Sequence, residues 1–282
     1  MGRDFYDGSP AARTILDAAA ALAGPDFLPL VFDGPADTLN LTINAQPALV
    51  AVEVAIGRHL ESIGVKPSVC AGHSVGEFAA LVLAGAMAFE DAFALVQARG
   101  RCMSEGVPEG TMAAVLMLDA EKVEAALPEG AYVANYNGPT QTILAGTKEA
   151  LENAAVAMKD AGARKVLPVR VSGPFHSPLM KNAEAAFRAE LASATIAAPT
   201  IAFASSVTGH HENDPDTIRE LLARQICAPI RWTQVCSTIG PVPAVECGPG
   251  KVLQGIAKRM DNAPDVALAG TLEEATQLEV AG

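Results

Sequence analysis

Aromatic residues make up only 5% of this 282-residue chain: one Trp, three Tyr and nine Phe. Basic residues are scarce too, with 20 Lys and Arg against 32 Asp and Glu and a formal net charge of −12. That balance excludes general nucleic-acid binding, which needs a cationic surface. An acidic partner would need a local basic patch, for which Arg164, Lys165, Arg170, Lys181, Arg231, Lys251, Lys258 and Arg259 are the candidates. The five cysteines (Cys70, Cys102, Cys227, Cys236 and Cys247) are odd in number and lack C-x-x-C spacing. They read as free thiols of a reduced, cytoplasmic protein rather than as a disulfide framework. No apolar run is long enough to span a bilayer: the stretch 45–56 is interrupted by Gln46 and Glu53, and 79–89 is too short. The opening Met1-Gly2-Arg3-Asp4 reads as no secretion signal, and Tyr6 stands where a myristoylation signal wants Ser or Thr.

What is abundant is aliphatic sequence. Half the residues are hydrophobic, enough for one large domain or a domain with an insertion. Periodicity predicts helices over 11–23 and 47–63, the second with Leu49, Val50, Val54 and Leu60 on one face. A short buried strand starts at Val69, and a helix follows from Ser74 to about Ala84, where Gly85 ends it. From Thr111 the texture changes. A strand over 112–118, a helix over 120–127, strands over 132–135 and 142–145, a helix over 148–161 and a strand over 165–171 follow in order. The turn between the middle strands is Asn137-Gly138-Pro139. This β-α-β-β-α-β series is the ferredoxin-like pattern. It is expected as a small domain, 111–173, inserted into a larger α/β domain made of 1–110 and 174–282. In the second part Ser177-Pro178 opens a helix, and a strand over 201–204, a helix over 216–225, a strand over 244–246 and a helix containing Gly255 follow. No internal repeat is present.

The stretch Gly72-His73-Ser74-Val75-Gly76 follows apolar Val69-Cys70-Ala71 and precedes helix-forming Glu77-Phe78-Ala79-Ala80-Leu81. In that strand–turn–helix setting G-x-S-x-G exposes a serine hydroxyl at a helix N-terminus, where negative charge is stabilised. Both glycines are expected to be needed because a Cβ would clash in the turn. A serine nucleophile needs a base. His73 adjoins the serine, and adjacent side chains usually diverge. His59 looks exposed on its helix. His210 and His211, with Asp214 nearby, read as a solvated loop in preference to a metal site. His176, in the constrained loop Ser172-Gly173-Pro174-Phe175-His176-Ser177-Pro178, is the remaining candidate. Arg99 is the second anomaly. It shares a helical face with Ala92, Leu95 and Val96, whereas Arg101 falls on the solvated side. A buried guanidinium needs an anion. Either an internal salt bridge or a fork for a substrate carboxylate would supply one. No acidic residue stands out as a third catalytic member: Asp91 and Asp119 look like helix-start residues, and a main-chain carbonyl would hold the same ring proton.

These features resemble the malonyl-CoA:acyl carrier protein transacylases of fatty acid synthesis and the acyltransferase domains of polyketide synthases. The likeness covers nearly the whole chain. It runs through Thr42-Ile43-Asn44-Ala45-Gln46-Pro47-Ala48, Ala71-Gly72-His73-Ser74-Val75-Gly76-Glu77, Ala98-Arg99-Gly100 and Asn135-Tyr136-Asn137-Gly138-Pro139-Thr140-Gln141. It continues in Gly173-Pro174-Phe175-His176-Ser177, Arg224-Gln225 and Glu246-Cys247-Gly248-Pro249-Gly250-Lys251-Val252-Leu253. The resemblance implies an α/β-hydrolase-like large domain with a parallel sheet and a ferredoxin-like insertion. It implies that Ser74 is acylated, that His176 is its base and that the Gln225 carbonyl orients the histidine. Arg99 would grip the malonyl carboxylate, and the Val75 N–H would be one oxyanion donor. Phe175 would disfavour an α-methyl group. Malonyl-CoA and acyl carrier protein are the implied partners, with no cofactor, no metal, no nucleic acid and no membrane. The protein is expected to be a cytoplasmic monomer.

Family members open with a strand and a Pro-Gly-Gln-Gly-Ser-Gln loop whose glutamine gives the second oxyanion N–H. This sequence opens in what resembles the segment just after that loop. A form without it is expected to be poorly active and less stable, since losing one oxyanion donor costs about 100- to 1,000-fold in rate. The competing readings are a serine esterase or thioesterase, and a non-catalytic paralogue that binds acyl carrier protein.

Overall fold

Helices α1 (Arg3–Gly8), α2 (Pro10–Ala23), α3 (Phe27–Asp33), α4 (Ala36–Leu39) and α5 (Thr42–Ser62) lead to the first strand, β1 (Val69–Ala71), in a computed structural model that describes residues 1–278. Ser9 starts α2 by accepting the Ala12 N–H, and Pro10 follows at a position that needs no donor. Helix α5 begins earlier than the expected start at Pro47 and carries that proline inside it. Burial of Gln46, Pro47 and Ala48 outweighs the ladder bond the proline removes. Its last turn brings a second correction. His59 is buried, not exposed, with Nδ1 2.9 Å from Ser9 Oγ and its ring edge-on to Phe5.

Helices α6 (Gly76–Leu83) and α7 (Phe89–Cys102) come next, then β2 (Thr111–Leu116), α8 (Ala120–Ala125), β3 (Ala131–Gly138), β4 (Gln141–Gly146), α9 (Lys148–Asp160) and β5 (Lys165–Val169). These strands form one antiparallel sheet in the order β3-β4-β2-β5. Pro168 sits in edge strand β5, where a missing donor is tolerated. The sheet and its helices enclose their own core of Val115, Leu118, Val123, Leu144, Leu151 and Met158. Strand β3 runs through Asn137 and Gly138, which were expected to form the turn. Bulges between Val133 and Asn135 and between Tyr136 and Gly138 absorb the extra residues, so the reversal falls on Pro139 and Thr140.

The chain continues through a 3₁₀ turn (Pro178–Met180) into α10 (Lys181–Leu191), β6 (Ala202–Ala204), β7 (His211–Glu212), α11 (Pro215–Arg224), α12 (Trp232–Ile239), β8 (Pro243–Glu246), α13 (Val252–Ala257), β9 (Asp265–Leu268) and α14 (Leu272–Gln277). The expected single parallel sheet is, among the described residues, two pieces. One is β1-β6-β7, parallel between β1 and β6 (Val69 opposite Ala202) and antiparallel between β6 and β7; the other is the parallel pair β8-β9. Cys70 of the first piece and Val245 and Cys247 at the end of the second share one hydrophobic core without sharing a ladder. The antiparallel sheet joins the rest through β3. Tyr136 N–H donates to the Ile230 carbonyl at 2.8 Å, Ile230 N–H donates to the Ala134 carbonyl at 2.8 Å, and Thr233 Oγ1 donates to the Tyr136 carbonyl at 2.9 Å.

One buried acid in this frame has a measurable consequence. Glu53 of α5 is partly exposed as a residue, but its Oε2 is sealed from solvent and has no hydrogen-bond partner among the described residues. Burial, then the charge of Glu246, pushes its carboxyl up to about 7 from 4.5. The folded state therefore binds more protons than the unfolded chain between those values, and stability falls as pH rises through that window. Glu53→Gln is expected to stabilise the fold by roughly 2 kcal/mol at about pH 8, with the gain vanishing below about pH 4.5. Chemical denaturation at the two pH values checks this.

Candidate active site

The turn after β1 is built on glycine at one position only. A Cβ on Gly72 would sit 2.0 Å from the Gly76 carbonyl carbon and 2.2 Å from the Glu77 nitrogen, so any side chain is excluded. Gly76 differs from expectation: a Cβ there would meet only Glu53 Oε2, at 3.7 Å. Between them Ser74 is held at φ 54°, a left-handed conformation that a non-glycine residue adopts only under constraint. That backbone lifts the hydroxyl out of the turn, while Val75 is the N-cap of α6, at the end of the helix where amides lack intrahelical acceptors.

His176 shares this strain, at φ 57°, and is buried in its loop. The loop is fixed by the His176 N–H to the Ile226 carbonyl at 3.1 Å and by Ser177 Oγ to the Pro174 carbonyl at 2.6 Å. Its Nε2 lies 2.9 Å from Ser74 Oγ, and its Nδ1 lies 2.7 Å from the Gln225 main-chain carbonyl. A carbonyl only accepts, so Nδ1 carries the proton and Nε2 presents a lone pair to the serine hydroxyl. Burial, and next the charge of Arg99, lowers the imidazole to about 3. It is therefore neutral at physiological pH and able to take a proton.

Arg99 is 1% exposed. Its partners are neutral: Nη1 donates to Gln46 Oε1 at 2.7 Å, and Nη2 donates to Gln225 Oε1 at 2.9 Å and to Ser74 Oγ at 3.2 Å. Among the described residues the internal ion pair considered from the sequence is not formed, and Nε has no hydrogen-bond partner. Burial lowers the guanidinium to about 10, opposed by Glu77, so it stays charged at neutral pH. Ser74 Oγ thus accepts from a cation and donates to a neutral imidazole. Both contacts favour loss of its proton.

Ser74, Val75, Arg99, His176 and Gln225 are brought together from the turn before α6, from α7, from the loop before α10 and from the C-cap of α11. His73 turns away, with Nε2 2.9 Å from Asn137 Oδ1 on β3 and its ring 5.5 Å from Trp232. His210 and His211 lie apart, at and before β7, and Asp214 caps α11 by accepting the Thr217 N–H at 2.7 Å. Of the basic candidates, Arg231 lies over the Tyr136 ring at 5.7 Å and Arg259 donates to Gln141 Oε1 at 3.1 Å. Sequence reasoning gave no role to Gln46, Glu77 or the Gln225 side chain. The signal for Glu77 was present, as a lone acid opening the otherwise apolar helix Gly76–Leu83.

The family model described as "acyl transferase domain" matches residues 1–280. The malonyl CoA-acyl carrier protein transacylase of Salmonella typhimurium is 42% identical over 280 residues, covering 95% of this chain and 89% of the relative. The protein of the same name from Bacillus subtilis is 38% identical over 272 residues, covering 93% and 86%. The acyl-carrier-protein S-malonyltransferase of Burkholderia pseudomallei superposes with a TM-score of 0.92 at 38% identity, covering 97% of this chain and 93% of that one. A malonyl-transacylase in complex with its type II PKS acyl-carrier protein superposes at 0.94 with 36% identity, covering 100% and 95%. By this full-length likeness, the chain belongs to the acyl transferase family and, within it, to the malonyl CoA-acyl carrier protein transacylases.

Proposed function

We propose that this chain moves the malonyl group of malonyl-CoA to the phosphopantetheine thiol of acyl carrier protein through a malonyl-serine ester, in the cytoplasm and as a monomer. The observation that carries the reading is Arg99: a buried cation, in no ion pair among the described residues, donating to the serine at 3.2 Å. It supplies the countercharge that an incoming malonate end lacks. As Ser74 Oγ attacks the thioester carbonyl, its proton passes to His176 Nε2. The oxyanion falls to the Val75 N–H, the C–S bond breaks, and the CoA sulfur takes the proton from His176. In the second half the carrier thiol gives its proton to His176 and attacks the ester carbonyl. The ester C–O bond breaks and Ser74 recovers its hydrogen. His176 alternates between base and acid, and the Gln225 carbonyl keeps its ring in one tautomer. The architecture that serves this chemistry is read as an α/β-hydrolase-like domain (1–110 and 174–278) with a ferredoxin-like insertion (111–173). The strand order β3-β4-β2-β5 and the separate core of the insert support that division.

Incubation with malonyl-CoA followed by peptide mass spectrometry is the test. A malonyl adduct on Ser74, discharged by holo acyl carrier protein, is expected. An adduct lost only to water would instead indicate a thioesterase, and no adduct a binding protein.

A further inference from the structure

Glu77 has no place in the reaction just described, yet it is 1% exposed and opens the helix that follows the nucleophile. Its carboxylate does not cap that helix. Oε1 accepts the Ser206 N–H in a short hydrogen bond, and Oε2 accepts from Gln225 Nε2 at 2.5 Å. Gln225 then turns its other end to Arg99, where Oε1 accepts from Nη2 at 2.9 Å. A carboxylate only accepts and a guanidinium only donates, so between them the Gln225 amide has one orientation that satisfies both ends. The same residue's main-chain carbonyl holds His176 Nδ1 at 2.7 Å. Glu77 thus fixes a residue that touches both the base, through its main-chain carbonyl, and the carboxylate fork, through its amide.

We infer that Glu77 is a positioning residue that sets the Arg99 fork for a carboxylated acyl group by locking the Gln225 amide, an inference that rests on the malonyl-transfer reading. Its effect falls on carboxylate recognition because the amide that Glu77 holds reaches the Arg99 fork, whereas the bond to His176 uses the main chain. Burial pushes the Glu77 carboxyl up to about 7, and its bonds to Ser206 and the charge of Arg99 oppose that shift. The partners it orders offset part of the cost of burying its charge.

Glu77→Gln tests this with little change of shape. An amide can accept from Ser206 but no longer dictates which way Gln225 points. KM for malonyl-CoA is expected to rise roughly ten-fold, the scale of one lost charge-assisted bond. The change in kcat and the change in kcat/KM for acetyl-CoA are expected to be much smaller, so the malonyl-to-acetyl ratio falls. Gln225→Met removes the amide but keeps the backbone carbonyl. It is expected to shift the ratio the same way, and it carries the test should Glu77→Gln fail to fold. A Glu77→Gln protein with an unchanged ratio, or with equal losses for both substrates, overturns the proposal alone. An unsubstituted protein with no preference for malonyl overturns the malonyl-transfer reading, and this proposal with it.

Discussion

His176→Ala is expected to slow formation of the malonyl-Ser74 ester by about 10²–10⁴-fold, the contribution of a positioned general base. Several contacts make the loss large. Nε2 is 2.9 Å from Ser74 Oγ, within direct proton-transfer reach. The Gln225 carbonyl at 2.7 Å from Nδ1 fixes the tautomer. No other imidazole can substitute, because His73 is committed to Asn137 at 2.9 Å. Rapid-quench measurement of the adduct checks the magnitude, and a variant that acylates at the unsubstituted rate would remove His176 from the mechanism.

A carbonyl in place of a carboxylate also shapes the pH dependence. Among the described residues no anion sits beside the ring to favour its charged form, and burial together with Arg99 holds it near 3. The base therefore stays unprotonated well below the ordinary histidine range, and adduct formation should show no acid limb from His176 near pH 6.5. Stability behaves differently. The unfolded chain protonates this histidine at about 6.5 and the fold resists until about 3, so stability is lost as pH falls through that window. His73, lowered mainly by burial, acts in the same direction. Glu53 and Glu77, both raised to about 7 from 4.5, act in the opposite direction above the lower value. Below it the histidine losses stand unopposed and are joined by those of Asp214 and Glu220, whose carboxyls are lowered by Thr217 and Arg188, so acid unfolding should steepen below about pH 4.5. Inactivation on the acid side is then loss of the fold, which melting curves run beside the kinetics would show.

How much of this was legible depended on how local each feature is. The serine turn is written in consecutive residues, with apolar strand, obligatory Gly72, serine and helix in a row, and the structure keeps that order. Arg99 was visible because a helix has a fixed period and the arginine broke an apolar face. Its partners were not, since Gln46 and Gln225 are 53 and 126 residues away and neutral amides carry no periodic signal. His59 was misjudged because its burial comes from Ser9 and Phe5 on other helices. The strand series from β2 to β5 was readable in type and order from its alternation and turns. Its bulges, and the division of the remaining strands into two sheets, depend on pairings that no single segment encodes.

Arg99→Ala is expected to lower kcat/KM for malonyl-CoA by roughly 10²–10³-fold, as loss of a two-pronged guanidinium–carboxylate contact worth about 3–4 kcal/mol would do. Transfer of a neutral acyl group such as acetyl should survive far better, for two reasons. The acetyl group has no carboxylate to lose a partner. The substitution also removes the charge that, after burial, most depresses His176, so the imidazole should become a stronger base and its folded value should move up toward the ordinary range. An acid limb absent from the unsubstituted protein should then appear at higher pH in the variant. The remaining site is less settled. Gln46 and Gln225 lose their donor, and Glu77 loses the cation that opposes its desolvation, so a lower melting temperature should accompany the switch in preference. Arg99→Lys separates charge from geometry. A lysine keeps the cation but cannot reach both glutamines and a carboxylate at once, so it should recover part of the malonyl rate without restoring the ratio. Steady-state rates with malonyl-CoA and acetyl-CoA across pH decide the matter: equal losses for the two substrates in Arg99→Ala would leave Arg99 a packing residue and take the carboxylate fork out of the mechanism.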